Sequence, residues 1–308
     1  MKNITLKDLS INFGCDVSDF SYRFINFFNT LDMRYESIEG DEEKQVILDI
    51  LKKIDKDSQK IGAQERIAVW YNGWEENLND FITSKEESAI VPKFIRPNKI
   101  IRFGGKYIKP KNSFFEKNLC KLIQFYIYHT FISEDIENVY EFGCGSGFNL
   151  LALSKIREDV NLYGSDFVQS AVDLINEMAN HYDIKMRGDI FDMIEPDYNY
   201  DIKNNSCIFT FGAVEQLASK FENFVDYLLV KKPKVCFHIE PTVEFYDEKN
   251  LFDYLAIKFH KQRGYSEGFV PYLKKLEEEG KIEIDTLHRF NFGSKFMEGY
   301  QLVAWRVT

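Results

Sequence analysis

Long hydrophobic runs are missing from this chain: no segment approaches 18 consecutive apolar residues, and the amino-terminal MKNITLKDLS lacks the apolar core of a secretion signal. The expectation is a cytoplasmic protein without a membrane span. Paired cysteines are missing as well. Cys15, Cys120, Cys144, Cys207 and Cys236 are odd in number, scattered, and never in a C-x-x-C pair. Neither a disulfide framework nor a zinc knuckle is indicated. Positive charge is in deficit, with 39 Lys and Arg against 49 Asp and Glu and a net charge of -10. That balance argues against a general nucleic-acid binder, because phosphate recognition relies on Lys and Arg neutralising the backbone.

What is present is an ordinary globular composition, 44% hydrophobic and 29% charged, over 308 residues. That length suits one large domain, or a core domain with a substantial appendage. With 28 Phe and 17 Tyr the chain is aromatic-rich, through aromatic packing, an aromatic-lined cavity or compositional drift. The organising stretch is VYEFGCGSGFNLLALSK, from Val139 to Lys155. A brief apolar run ends abruptly in glycine, Gly143, Gly145 and Gly147 make a turn, and Leu150, Leu151, Leu153 and Ile156 give the next segment a helical stripe. The unit reads as strand, glycine loop, helix. Such a loop admits a ligand close to the backbone.

The dinucleotide fingerprint G-x-G-x-x-G requires its third glycine at 148, where this chain has Phe148. With Glu141 in front, the run E-x-G-x-G-x-G, including Cys144, resembles motif I of the class I S-adenosylmethionine-dependent methyltransferases. The resemblance covers residues 133–308. It implies S-adenosyl-L-methionine as cofactor, with the acidic residue facing its methionine end.

From residue 133 the pattern alternates strand and helix, which predicts a parallel sheet covered on both faces. The second strand ends at Asp166, roughly 20 residues after Gly147, the spacing at which a carboxylate accepts ribose hydroxyls in nucleoside-binding α/β folds. Asp166 could equally cap the following helix. Phe167 could pack on the adenine. A third strand, Lys185 to Gly188, leads to Asp189, which resembles the residue contacting the adenine amino group in that family, and Ile190 would cover the ring. The fourth strand ends at Thr210, Phe211 and Gly212, on the edge where open parallel sheets bind ligands. KIEIDTLHRFNFG and GYQLVAWRVT read as a terminal antiparallel pair. The predicted architecture is therefore α/β: a Rossmann-like, seven-stranded methyltransferase sheet, mostly parallel, with an antiparallel C-terminal hairpin.

Residues 1–132 read as a mainly helical lid or substrate-recognition domain, with a polar hinge at Ser133, Glu134 and Asp135. The basic, proline-punctuated segment from Val91 to Lys111 reads as loop with short strands. Trp74, Arg96, Arg102 and Tyr107 are the candidate substrate contacts, while most other aromatics there suit a helical core.

Methyl transfer is a direct displacement, so much of the rate can come from positioning. A hydroxyl acceptor also needs a general base. His238, near the end of the fifth strand KVCFHIEP, is the candidate, with Glu240 or Glu215 orienting it or touching a substrate hydroxyl. The same three could alternatively gather a divalent metal, although no tight ligand spacing supports that. The expected activity is O-methylation of a small polar acceptor, a sugar or glycan precursor or a nucleotide-linked relative. An amine or natural-product acceptor, and a non-catalytic nucleoside-binding protein, are the alternatives; a nicotinamide oxidoreductase is more distant, and a homo-oligomer is left open.

Overall fold

The structure is a computed structural model that describes residues 1–61, 65–93, 95, 97 and 100–308, with the side chains of 65–67 left aside. The amino-terminal half runs β1 (Lys2–Asn3), α1 (Leu6–Phe13), α2 (Tyr22–Asn29), β2 (Arg34–Ser37), α3 (Asp41–Asp55), α4 (Glu65–Ser84), β3 (Ile101–Phe103), β4 (Lys106–Pro110) and α5 (Phe115–Phe131). The remainder runs β5 (Asn138–Phe142), α6 (Phe148–Ser154), β6 (Asn161–Asp166), α7 (Gln169–Tyr182), β7 (Met186–Ile190), β8 (Ser206–Phe211), α8 (Phe221–Lys231), β9 (Val235–Glu240), α9 (Leu251–Arg263), α10 (Phe269–Glu278), β10 (Ile282–Arg289), β11 (Phe292–Ser294) and β12 (Gln301–Val307).

Seven strands form the main sheet in the order β10-β12-β9-β8-β5-β6-β7. The pairs from β9 through to β7 are parallel, and β12 runs antiparallel to both β9 and β10. This is the Rossmann-like sheet of the class I methyltransferases, with its antiparallel terminal hairpin. Strand alternation explains its two covered faces. Val139 points into one apolar layer with Phe209, Phe237, Ile239 and Leu302, whereas Tyr140 and Phe142 point into the other with Ile208, Cys236, Val303 and Trp305. The chain turns from β5 to β6 on one side and reaches β8 on the other, so the loop after β5 lies at the topological switch point.

The amino-terminal half carries the expected helices and short strands, but it is not separate from the rest of the chain. Its strands belong to a second sheet, ordered β1-β2-β4-β3-β11, whose last member comes from the C-terminal part. Arg102 in β3 stands opposite Gly293 in β11. The early phenylalanines make a core: Phe20 and Phe24 stack at 4.2 Å, and Phe13 meets Phe290 at 5.1 Å. A chain break at residue 132 would therefore cut a shared sheet and a shared core.

A buried ion cluster joins α9, β10 and the loop before β12. Arg289 reaches Asp253 at 2.5 and 2.8 Å and Glu298 at 2.5 Å. Removing the cation leaves two carboxylates buried without compensation. Arg289→Ala is expected to lower the unfolding free energy by about 3–5 kcal/mol, read from the midpoint of a urea titration.

Candidate functional site

The glycine loop after β5 takes positive φ at Gly143, Gly145 and Gly147, with values of 69°, 52° and 70°. Its position is fixed from the neighbouring strand. The Gly143 and Cys144 amides donate to the Ser165 carbonyl at 2.7 and 3.0 Å. The Gly145 amide donates to Asp166 Oδ2 at 3.0 Å, and the other carboxylate oxygen accepts from the Val168 amide at 3.2 Å. Asp166 thus holds the loop together with the amide of Val168, the residue before α7, while α7 itself has no side-chain cap. Burial pushes its carboxyl up to about 6.

Glu141 is fully buried. Asn149 Nδ2 donates to its Oε1 at 2.6 Å, and Gln124 Nε2 donates to Asn149 Oδ1 at 2.7 Å. Its Oε2 has no partner. Burial, with the Asp166 charge adding to it, holds this carboxyl well above the usual carboxylate range. A buried carboxyl with one bare oxygen is expensive unless something meets it, and an incoming cation would draw it into the ionised form. Burial likewise raises the Cys144 thiol, so its contribution to the loop is packing.

At the neighbouring strand ends, Phe167 is 42% exposed and Ile190 51% exposed. Ile190 and Asp166 are register partners across β6 and β7. Two exposed apolar side chains beside a carboxylate suit a flat aromatic base. Asp189 lies within β7, one strand position beyond the expected end, and is engaged by Arg187 at 2.7 Å and by the Tyr200 hydroxyl at 3.1 Å. Phe211 is half-buried against Tyr300. Gly212 follows at φ 68°, and a Cβ there would meet nothing within 4 Å, so the end of β8 faces open space.

The structure corrects the expectations at the fifth strand. His238 is fully buried. Trp305 Nε1 donates to its Nε2 at 3.0 Å, so the proton sits on Nδ1, which is 2.9 Å from Thr210 Oγ1. Thr210 in turn donates to Glu240 Oε1 at 2.7 Å. Both ring nitrogens are used, and burial pushes the imidazole down to about 3. A histidine so placed orders the core and offers no lone pair to a substrate or a metal. Glu240 also accepts from the Ala213 and Glu215 amides, at 3.0 and 3.2 Å, and so anchors the 3-10 segment after β8. Glu215 accepts from Gln216 Nε2 at 2.5 Å on that segment. Within it, Ala218 takes φ 53° and ψ -121°, backbone that a non-glycine residue holds only under strain.

The substrate candidates divide. Trp74 belongs to the glycine loop: a Cβ on Gly145 would come within 2.6 Å of its ring. It stacks on Trp70 at 5.8 Å. Its helix α4 is tied down where Ser170 Oγ donates to the Tyr71 carbonyl at 3.0 Å, and the segment after α4 where Ser146 Oγ donates to the Ile90 carbonyl at 2.7 Å. Arg102 and Tyr107 are fully buried on interior strands of the second sheet. Arg102 donates to the Phe252 carbonyl at 2.7 Å and to Tyr107 Oη at 3.3 Å, and lies 3.8 Å over the Phe252 ring. Arg96 lies outside the described residues. Sequence reasoning missed Asn149 and Gln124, whose only signal was their polar character on otherwise apolar helices.

No family model matches the chain, and no curated protein does. Solved structures similar to it include a SAM-dependent methyltransferase from Aquifex aeolicus, at 18% identity and TM-score 0.40 over 59% of this chain and 88% of that one. The methyltransferase domain of bacterial CtHen1-C is 15% identical with TM-score 0.46, over 61% and 98%. Geranyl diphosphate C-methyltransferase from Streptomyces coelicolor A3(2) is 10% identical with TM-score 0.44, over 65% and 87%. The fold assignment rests on this chain's own strand order and hairpin.

Gly145→Ala forces an L residue into positive φ and drives its Cβ into the Trp74 ring. The expected result is a displaced α4, a red shift of tryptophan emission, and a stability loss of about 1–3 kcal/mol; unchanged emission would show that Trp74 does not rest there in solution.

Proposed function

We propose that the protein is an S-adenosyl-L-methionine-dependent methyltransferase acting on a hydroxyl of a small polar acceptor, a sugar or glycan precursor or a nucleotide-linked relative. The observation that carries this reading is Glu141, whose bare Oε2 lies buried at the head of a glycine loop that Asp166 holds from the next strand. The cofactor supplies a methyl group on a positively charged sulfur. Glu141 would take its ammonium group, the remaining lone pairs of Asp166 its ribose hydroxyls, and Phe167 and Ile190 the faces of its base, with Asp189 reaching the exocyclic amine. Trp74 would close the loop from the α4 side. The chain's part in the reaction is then to fix donor and acceptor in line, exclude water and accept a hydroxyl proton.

Calorimetry with S-adenosylhomocysteine should show one site per chain, and Glu141→Gln should weaken it by about 10- to 100-fold, as expected for a charge-assisted hydrogen bond. Absence of binding to the wild-type protein would sink the reading. Methyl release from labelled cofactor then separates an enzyme from a nucleoside-binding protein.

The raised Asp166 carboxyl sets the pH dependence. Ribose hydroxyls donate to the ionised form, so the share of affinity that Asp166 carries is full above about pH 6 and falls as pH drops through that value, beside a separate share set by the raised Glu141 carboxyl. Wild-type affinity should decline by up to about tenfold per pH unit below it, and Asp166→Asn should bind weakly with that part of the decline removed.

A further inference from the structure

The indole of Trp74 lies flat on the glycine loop. A Cβ on Gly145 would come within 2.6 Å of its Cζ2 and within 2.9 and 3.1 Å of Cη2 and Cε2, the two ring atoms bonded to Cζ2. Distances so nearly equal mean an approach to the face of the six-membered ring, not to its edge. Gly145 lacks that Cβ, so the π-face rests on the backbone itself. An indole is wider than the single α-carbon it covers, and the same face overhangs the loop beside it. Trp70, one turn earlier on α4, stacks nearly parallel to it at 5.8 Å and 19°.

The ring is held over the loop by contacts in which it takes no part. Three residues before it, the Tyr71 carbonyl accepts from Ser170 Oγ at 3.0 Å. Further along α4, the buried Phe81 meets the rings of His181 and Tyr182 at 5.7 and 5.9 Å, which pins the helix along α7. Ser146, next to Gly145 in the loop, donates to the Ile90 carbonyl at 2.7 Å.

Two carboxylates locate that ring along a ligand. Glu141 stands opposite Gly164 in the parallel register of β5 and β6, so Asp166 lies one strand across and two residues on, on the same face of the sheet. Strand spacing and rise put their α-carbons roughly 8 Å apart. Gly145 follows Glu141 in the loop and donates its amide to Asp166. In S-adenosyl-L-methionine the sulfur is midway along the bonds between the ammonium group and the ribose hydroxyls. With the ammonium on Glu141 and the ribose on Asp166, the sulfur passes Gly145, beside the Trp74 ring.

We propose that Trp74 is a specificity-determining residue, whose π-face meets the sulfonium and makes the site favour the charged methyl donor over the neutral product. The proposal rests on the methyltransferase reading above. Glu141, Asp166, Phe167 and Ile190 face groups that donor and product share, so none of them tells the two apart. Only the sulfur differs. Transfer forms the bond from the methyl carbon to the acceptor oxygen and breaks the carbon–sulfur bond. The electron pair stays on sulfur, now a neutral thioether, and the hydroxyl proton leaves for solvent. A cation over an indole face is attracted by the ring quadrupole, more strongly where the ring is partly withdrawn from water, as the half-buried Trp74 is. That attraction ends with the charge, so the product is released more readily than the donor.

The test is calorimetry with S-adenosylhomocysteine and with S-adenosyl-L-methionine, each titrated without an acceptor. Failure of the wild-type protein to bind S-adenosylhomocysteine would defeat the methyltransferase reading itself. Where it binds, Trp74→Leu should weaken the donor about 3- to 20-fold more than the product, and Trp74→Phe should do so less than Trp74→Leu. A donor-to-product affinity ratio that moves by less than about threefold in Trp74→Leu overturns the proposal and leaves the ring as packing on the loop. Should that variant not fold, the three tryptophans are replaced together by analogues with increasing numbers of fluorines, which keep the ring shape and draw electron density from its face. Stepwise weaker donor binding with product binding unchanged supports the contact, and equal effects on both, or none, overturn it.

Discussion

The hydrogen bond from the Gly145 amide to Asp166 ties the end of β6 to the loop after β5, and the geometry of the candidate site depends on it. A loop of three glycines at positive φ has a large conformational entropy to lose. What holds it is a set of donors aimed at one neighbour, two amides on the Ser165 carbonyl and one on the Asp166 carboxylate. Because the same carboxylate accepts from Val168, the loop and the start of α7 are set relative to one another by a single side chain. The buried carboxylate resists ionising in so dry a place, and the amides only partly offset this. Ligand hydroxyls would complete that compensation, so loop order and ligand binding draw on the same group.

A second carboxylate plays a comparable part on the other side of the switch point. Glu240 gathers Thr210 and the amides of Ala213 and Glu215, and so converts the turn after β8 into a defined surface. The amino-terminal half completes that surface from outside. By lending β3 to a sheet that closes with β11, it brings Arg102 to the C-terminal hairpin, and by laying α4 along α7 it brings Trp74 to the glycine loop. Arg102 and Trp74 are held this way by a strand pairing and by a helix laid against α7.

These relations mark how far the sequence could be read. Period-two alternation and abrupt glycine ends placed the parallel strands, and the terminal pair emerged from the same rule, because each depends only on neighbours in the chain. The lending of β11 to the amino-terminal sheet was not legible: Phe292–Ser294 is three residues long, and its partner Ile101–Phe103 is nearly 200 positions away. The loop carboxylates were legible as types at expected intervals. Their bonding was not, and neither was the approach of Trp74 to the glycine loop.

The two buried histidines show why position along a strand misleads about chemistry. His238 sits near the carboxyl edge, where catalytic groups gather, yet Trp305 donates to one nitrogen and Thr210 meets the other, and the ring is spent on the core. His260 lies in a helix with no motif around it, and only one of its nitrogens is committed. Edge position can be read from a sequence, whereas the count of committed lone pairs depends on residues 28 and 67 positions away from His238 and six from His260. A ring nitrogen can serve a ligand only where its partners leave a lone pair over and the ring can be reached, and His260, fully buried, meets the first condition alone.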